Sequence, residues 1–184
     1  SSQFKTILSA LVGQQTPSEA MLFYSGHFSR QLRSAVILEN ILADHFDLPV
    51  TVKQFQGSWL VLKESEATRL GEQPYNQLGS TAMLGKQLWS VGQKFLLCIG
   101  PLHYQEFLKL LPHQHKLNAL LKLTRDYVGV EFDFAAQLIL LADEVPNCQL
   151  RQRDSMQLGW NTWLKTQAFQ RNAGDAVIEG NYFW

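Results

Sequence analysis

Gln77–Leu84, QLGSTAML, is echoed by Gln157–Leu164, QLGWNTWL, at an offset of 80 residues (157 minus 77). The same offset places Val50 on Val130, upstream of the echo. A shared pattern of this length indicates a duplicated unit, because an internal repeat copies one packing solution. The repeat favours a scaffold over a catalytic site, since a catalytic site needs dissimilar groups that converge.

The repeat sets the predicted organisation of the chain. Residues 32–84 form a first unit and residues 114–164 a second, each a helix followed by antiparallel strands, so the predicted fold class is α+β. A unit of about 50 residues buries little surface alone, so the two units are expected to share one core. Residues 1–31 are predicted to form an amino-terminal helical segment, residues 85–113 a connecting hairpin and helix, and residues 165–184 a carboxyl-terminal tail.

The composition indicates an ordinary core and argues against several function classes. Apolar residues make up 46% of the 184 residues, and sixteen basic residues balance sixteen acidic ones. Nucleic-acid binding draws on concentrated Lys and Arg, so it is not expected. No apolar stretch reaches the roughly 20 residues that a membrane-spanning helix needs. Cys98 and Cys148 are too few for a disulfide framework, which favours a cytoplasmic location and a buried free thiol at Cys98.

Hydrophobic spacing predicts the regular elements. Apolar residues at helical spacing predict helices over residues 32–46 and 117–127, and alternation predicts strands over residues 50–55 and 130–135. Two short helices are also expected near Phe4–Val12 and after Thr16, and a second, more buried strand over residues 137–142. The tail shows no clear periodicity. The spacing of the apolar residues therefore predicts two similar helix-and-strand units.

Glycine and proline positions predict the breaks. Gly57 is expected to form a turn or bulge before a second strand over residues 59–62, and Gly92 is expected to turn a hairpin. Pro101 suits the first turn of the next helix. Three Leu-Gly pairs, at residues 70–71, 78–79 and 84–85, are expected to pin a long loop by inserting each leucine into the core.

The sequence carries only weak signals of a catalytic or metal site. His113 and His115 could ligate a metal, but no third ligand follows at a recognisable spacing, so neither a metal nor a cofactor is expected. Glu131 and Asp133 share a strand face, which is the ordinary pattern of a solvent-facing strand. His45, on an apolar helix face, is expected to be partly buried. Phosphate loops, nucleophile elbows and metalloprotease motifs are absent from the sequence, so the chain is expected not to be an enzyme.

The five tryptophans leave a second function class open. Trp160 and Trp163 could form the platform of a carbohydrate or small-ligand binding module. Trp59 and Trp89 lie within strand patterns and are expected in the core. Tyr182, Phe183 and Trp184 are costly to leave in water, so they are expected to dock on this chain or on a partner.

A wider set of residues carries a family resemblance. In chain order the set is Arg33-Ser34, Asp44-His45-Phe46, Val50, Gln54-Phe55, Gly57, Trp59, Leu62, Arg69-Leu70-Gly71, Leu78-Gly79, Leu84-Gly85, Trp89, Lys94-Phe95, Ile99-Gly100-Pro101-Leu102, Phe107, Leu111-Pro112 and Leu158-Gly159-Trp160 with Trp163-Leu164. In order and spacing it resembles the TssG family of type VI secretion baseplate proteins, also called ImpH or VasB. Ser90-Val91 departs from the acidic residue and glutamine that the resemblance predicts after Trp89. The amino-terminal portion of the family is expected to be missing ahead of Ser1.

The resemblance implies a structural role. Members of the family join copies of TssF, expected to be two, in a baseplate wedge that also carries TssK and TssE, and they act indirectly on the spike hub and the sheath. The implied location is the cytoplasmic face of the inner membrane, reached through partners, without direct membrane insertion and without nucleic acid. The matched motif is expected to determine the fold, and its members are Leu78, Gly79, Gly100, Pro101, Leu102, Leu158, Gly159, Trp160 and Trp163.

Overall fold

The computed structural model describes residues 19–30, 32–68, 71, 77–83, 85–112, 114–148 and 157–180. Within these ranges the helices are α1 (Glu19–Phe23), α2 (Ser25–Phe28), α3 (Ala35–Phe46), α4 (Tyr104–Lys109) and α5 (His115–Val128). The strands are β1 (Val50–Val61), β2 (Gln87–Leu102), β3 (Asp133–Leu140) and β4 (Ala173–Glu179). Single 3₁₀ turns lie at Glu64–Glu66 and Ala142–Glu144. The fold is therefore mixed α and β.

The four strands form one sheet in the order β1-β2-β3-β4. The strands β1 and β2 are antiparallel, because the Gly100 amide donates to the Pro49 carbonyl and the Leu62 amide donates to the Lys86 carbonyl. The strands β3 and β4 are also antiparallel, with Ala136 opposite Ile178.

The strands β2 and β3 run in the same direction. The rings of Phe95 and Phe134 stack with centroids 5.5 Å apart, and further along both strands the Leu141 amide donates to the Leu102 carbonyl. The sheet is therefore mixed. The two strands predicted within each unit are one continuous strand, β1 in the first unit and β3 in the second, so the predicted antiparallel pair within each unit is wrong. A parallel pair needs a long crossover, and α4 and α5 lie in that connection.

The main compact unit comprises residues up to Gln54 and from Phe95 onward. Its helices α3 and α5 contact each other, and α4 contacts both α5 and β3. The apolar faces that meet there are fully buried, and their members include Leu38, Ile41, Leu42, Leu97, Ile99, Phe107, Leu117, Leu120, Leu121, Phe134 and Leu138. Each such side chain contributes about 1.5–3 kcal/mol when it is fully buried. The predicted helices over residues 32–46 and 117–127 are confirmed as α3 and α5.

Residues 55–94 form a second compact unit, called the arm below. The arm contains residues 55–61 of β1, residues 87–94 of β2 and the segment between them. Trp59 and Trp89 face each other across the two strands, with ring centroids 5.0 Å apart. Both tryptophans are mostly exposed, so the prediction that they belong to the core is wrong.

Several predicted breaks are continuous structure. Gly57 lies inside β1 and Gly92 inside β2, so neither forms a turn. Pro101 still belongs to β2, and the helix that follows begins at Tyr104. The strand β4 was not predicted, because its sequence AGDAVIE is rich in small residues and shows no strict alternation. Strand β3 likewise begins at Asp133, not at Val130.

Gly100 explains how β2 and β3 approach each other. Its φ is +139°, a conformation that L side chains rarely adopt, and an added Cβ would overlap the carbonyl oxygen of Ile139. Only glycine allows the two backbones to come this close. Gly100 therefore positions the central strand pair.

Within the described residues no helix is both long and apolar enough to cross a membrane.

Candidate functional site

Two turns that begin with Gln-Leu-Gly share most of one hydrogen-bond pattern. In the first turn the Gln77 carbonyl accepts from the amides of Ser80, Thr81 and Ala82, at 3.2, 3.0 and 2.9 Å. In the second turn the Gln157 carbonyl accepts from the amides of Trp160 and Asn161, at 3.1 and 3.2 Å. Each glutamine carbonyl therefore closes its turn at the third and fourth residues that follow.

A side chain closes each turn from the other direction. The Gln77 amide donates to Oγ1 of Thr81 at 3.3 Å, and the Gln157 amide donates to Oδ1 of Asn161 at 2.5 Å. Thr81 and Asn161 occupy the same place in their turns. Thr and Asn side chains commonly make local bonds of this kind to nearby amides. Both turns are thus held from within.

Gly79 and Gly159 occupy the left-handed position of the two turns. Their φ values are +79° and +84°, and nothing lies within 4 Å of an added Cβ at either residue. Backbone conformation, not crowding, therefore favours glycine here, because a side chain at this φ is strained. Gly79 and Gly159 therefore have the same function in their turns.

The leucine in each turn points into solvent. Leu78 is 96% exposed and Leu158 is 91% exposed, and Leu164, after the second turn, is 96% exposed. The prediction that the Leu-Gly pair inserts its leucine into the core is therefore wrong for Leu78. The turns are stabilised by their own hydrogen bonds, so they do not need the leucine as an anchor. Leu70 and Leu84, of the other two pairs, lie outside the described residues.

Neighbouring side chains anchor the second turn. Trp163 is only 8% exposed, its ring packs 5.8 Å from that of Phe107, and its Nε1 donates to Asp175 at 3.1 Å. Asn161 is buried and Trp160 is half-buried against the core. Trp163 therefore cannot present an open ring face, and the hypothesis of a carbohydrate platform built on Trp160 and Trp163 is wrong for Trp163.

The other candidate residues are scattered. Leu102 is fully buried at the end of β2, beside Gly100 and Pro101. His115 is exposed at the start of α5, whereas His113 and residues 182–184 lie outside the described residues. Among the residues that the structure describes, His, Cys, Asp and Glu form no group that could hold a metal ion. These residues do not converge on a site.

Tyr24, the residue before α2, and Asp44 of α3 border a shallow cleft of about 230 Å³ that α2 and α3 line. The Tyr24 hydroxyl donates a short hydrogen bond to the Asp44 carboxylate. Burial, and then this bond, raise the pKa of Tyr24 to about 12. The phenol therefore stays protonated at neutral pH, and the bond joins the start of α2 to α3. His45, predicted to be partly buried, is exposed beside them with its ring 6.3 Å from that of Tyr24.

His103 and Glu144 form an ion pair that the sequence did not predict. His103 Nδ1 lies 2.6 Å from Glu144 Oε1, and Oε2 accepts from the Tyr104 amide at 2.6 Å. The hydrogen bond with Glu144 raises the pKa of His103, and the same bond lowers the pKa of Glu144. The pair joins the start of α4 to the 3₁₀ turn after β3, which is a structural contact.

Two solved structures resemble this chain. A chain of the type VI secretion system TssK-TssF-TssG baseplate subcomplex, solved by cryo-electron microscopy, is 23% identical with a TM-score of 0.70, over 94% of this chain and 75% of that chain. A chain of the baseplate complex from the type VI secretion system is 23% identical with a TM-score of 0.64, over 97% of this chain and 53% of that chain. This chain thus spans about half the length of the second. At this identity the likeness shows the fold.

The sequence of the chain identifies its family. Curated protein sequences include no match to this chain. The protein family described as type VI secretion, TssG, matches residues 1–165. That match covers both turns and most of the described elements, and it confirms the resemblance drawn from the motif. The chain belongs to the TssG family of type VI secretion proteins.

Proposed function

We propose that this chain is a structural adaptor of the type VI secretion baseplate, and that its two matching turns are docking points for two copies of one partner. Membership of the TssG family supports the role. Its fold resembles chains from a baseplate subcomplex that contains TssK and TssF. The proposed direct partners are TssF, in two copies, together with TssK and TssE. Contact of this chain with the spike hub and the sheath is proposed to be indirect, through these partners.

The observation that carries the proposal is the match between the two turns. Both expose one leucine beside a glycine of positive φ, in a frame closed by three equivalent hydrogen bonds. A side chain that the fold does not use internally is available to a partner. Two similar exposed leucines on one chain suit two equal partner surfaces, as an adaptor between repeated subunits requires.

Each docking point is small, because one leucine with its turn offers little area, and small interfaces are weak. When the two partner copies also contact each other, the two turns bind one joined pair, the second contact becomes intramolecular, and avidity exceeds either affinity by about 10²–10⁴-fold. The proposed location at the cytoplasmic face of the inner membrane follows from the partners alone.

Co-purification with TssF, TssK and TssE homologues from the same secretion system tests the proposal. Leu78→Ser and Leu158→Ser remove one docking leucine each, and the double variant removes both. Leu32→Ser is the matched control, because Leu32 is 87% exposed and lies outside both turns. Native mass spectrometry then counts the partner copies that remain bound.

Each single variant is expected to lower the occupancy of one partner, and the double variant to release that partner while others stay bound. The control is expected to behave as the unchanged chain. A double variant that retains every partner at full occupancy would contradict the docking role of the turns. An unchanged chain that binds none of the three would contradict the adaptor function itself.

A further inference from the structure

The cleft of about 230 Å³ beside α3 lies outside both turns. One face of α3 lines it, with residues at helical spacing, and the start of α2 supplies the remaining side chains. The lining residues are Tyr24, His27, Ile37, Asn40, Ile41 and Asp44. The cleft is smaller than the roughly 300–1,000 Å³ of sites for drug-sized ligands, so it suits a ligand of few atoms.

Two isoleucines make the inner part of the cleft apolar. Ile41 is 2% exposed and belongs to the core, and Ile37, one helical turn earlier, is half-buried against that core. Asn40 and Asp44, on the same face of α3, are exposed. The cleft therefore offers apolar contact at its base and polar groups at its rim, which suits a short aliphatic chain that ends in a polar group.

Asp44 supplies a negative charge at that rim. Among the residues that the structure describes, the Tyr24 hydroxyl bonds to the Asp44 carboxylate, and no lysine or arginine pairs with it. The bond from Tyr24 reaches Oδ2, so Oδ1 has lone pairs for a further donor. A carboxylate only accepts hydrogen bonds, so a ligand must supply that donor.

Tyr24 and Asn40 add acceptor oxygens beside the charge. The Tyr24 hydroxyl uses its proton in the bond to Asp44, so its oxygen can only accept from a ligand. Asn40 precedes Asp44 by four residues, and side chains at this spacing are about 5–6 Å apart at Cβ. A group that donates to both side chains fits between them, because each N–H···O bond is about 2.9 Å long.

These groups select the chemistry of the ligand. An anion would be repelled by Asp44, and an uncharged alcohol would leave its charge unpaired. A guanidinium binds a carboxylate best through both oxygens, one of which already accepts from Tyr24. An ammonium is a compact charge with three separate donors, so it can bond to Asp44 Oδ1 and to the Asn40 amide oxygen together.

We infer that this cleft binds a primary ammonium group on a short aliphatic stem. Asp44 and Asn40 bind the ammonium, and Ile37 and Ile41 contact the stem. Free alkylamines and lysine side chains share this chemistry. The inference goes beyond the adaptor role and does not depend on it, because it rests on the cleft alone.

NMR titration of the full chain with butylammonium chloride tests the inference. At constant pH and ionic strength, the backbone amides of α3 are expected to shift and to saturate, whereas 1-butanol and sodium butyrate at the same concentrations are expected to cause no saturable shift. An equal response to 1-butanol would show an apolar cleft without charge recognition, and a stronger response to butyrate would show an anion site. Either result overturns the inference.

Three variants locate the binding in the cleft. Asp44→Asn keeps an acceptor for Tyr24 but removes the charge, and it is expected to weaken butylammonium binding roughly tenfold. Asp47→Asn is the matched control, because it removes the same charge next to the same helix, does not line the cleft, and places Asn at a φ of +53° that Asn tolerates. The control is expected to bind as the unchanged chain does.

Asn40→Ala gives an independent measurement at an exposed helix position, and it is expected to weaken binding roughly fivefold without lowering the melting temperature. It also keeps the test decisive if Asp44→Asn does not fold. Equal affinity in every folded variant, or equal losses in Asp44→Asn and Asp47→Asn, overturns the inference.

Two further ammonium compounds distinguish the sources. 1,4-Diaminobutane represents a free alkylamine, and N-acetyl-lysine methylamide represents a lysine side chain of a protein. Tighter binding of the diamine supports the cleft as a small-molecule site, and tighter binding of the blocked lysine supports it as a site for a lysine side chain. No saturable shift with any of the three ammonium compounds overturns the inference.

Discussion

The Nδ1 atom of His103 lies 2.6 Å from Oε1 of Glu144, and the second carboxylate oxygen accepts from the Tyr104 amide. The pair closes the crossover connection at the point where α4 begins. Because both residues are solvent-exposed, water screens the pair and its effect on stability is modest. Its titration is nevertheless measurable.

The first prediction concerns pH. His103 has a raised pKa in the fold, so its contribution to stability is complete below the ordinary value of 6.5 and disappears as pH rises through the folded pKa. Glu144 has a lowered pKa, so its contribution is complete above the ordinary value of 4.5 and disappears as pH falls through the folded pKa. The pair therefore stabilises most between these two values.

Histidine NMR titration and denaturant unfolding measure this effect. Glu144→Gln is expected to bring the pKa of His103 back towards 6.5, and His103→Gln to lower the unfolding free energy more at pH 5.5 than at pH 8. His115→Gln is the control, because His115 is exposed on α5. Equal losses at both pH values would show that the contact is not ionic.

The second prediction concerns the two glycines of β2. Gly100→Ala places a Cβ on the Ile139 carbonyl at a φ of +139°, so the central strands must separate. The expected loss is above about 4 kcal/mol of unfolding free energy, which is exceptional for one substitution. Gly92→Ala is the matched control, since nothing lies within 4 Å of its Cβ and a change of about 1 kcal/mol or less is expected.

Urea unfolding of both variants checks this difference. If Gly100→Ala does not accumulate as folded protein, the yield of Gly92→Ala under the same conditions serves as the comparison. Similar stability of the two variants would show that β2 and β3 can move apart without cost.

The third prediction concerns the anchor of the second turn. Trp163→Phe loses the Nε1 bond to Asp175 and leaves space beside Phe107, so a loss of about 1–3 kcal/mol is expected. Asp175→Asn keeps an acceptor oxygen and is expected to cost less. Denaturant midpoints measured at pH 7 check the order, and a larger loss for Asp175→Asn would contradict it.

How far the sequence predicts this fold depends on the kind of signal. The helices α3 and α5 were predicted because three or four apolar residues recur on one face of each, and that face is what the core buries. The parallel pairing of β2 with β3 was not predicted, because strand direction is set by the crossover through α4 and α5 and leaves no local pattern. Cys98 was correctly predicted as a buried free thiol within an apolar strand.

For the candidate site, the sequence indicates which residues match but not whether they are buried or exposed. Leu78 and Leu158 were recognised as a pair, yet apolar character alone indicated the core for a leucine that the turn exposes. Trp59 and Trp89 were misplaced for the same reason. Hydrophobic residues are found inside on average, but an interaction surface uses the same residue types. The exposed side of a strand can be identified only when the structure shows what covers the other side.

The fourth prediction concerns Tyr182, Phe183 and Trp184, which lie outside the described residues. Three adjacent aromatic residues are expected to contribute to a partner contact, because such residues dominate interface energies. Replacing all three by serine is expected to weaken co-purification of TssF at least tenfold, or about 1.4 kcal/mol. The melting temperature of the isolated chain is expected to stay unchanged, since the helices and strands described here bury their own core. If melting falls while TssF binding per folded molecule does not, the three residues dock on this chain, and the partner contact is excluded.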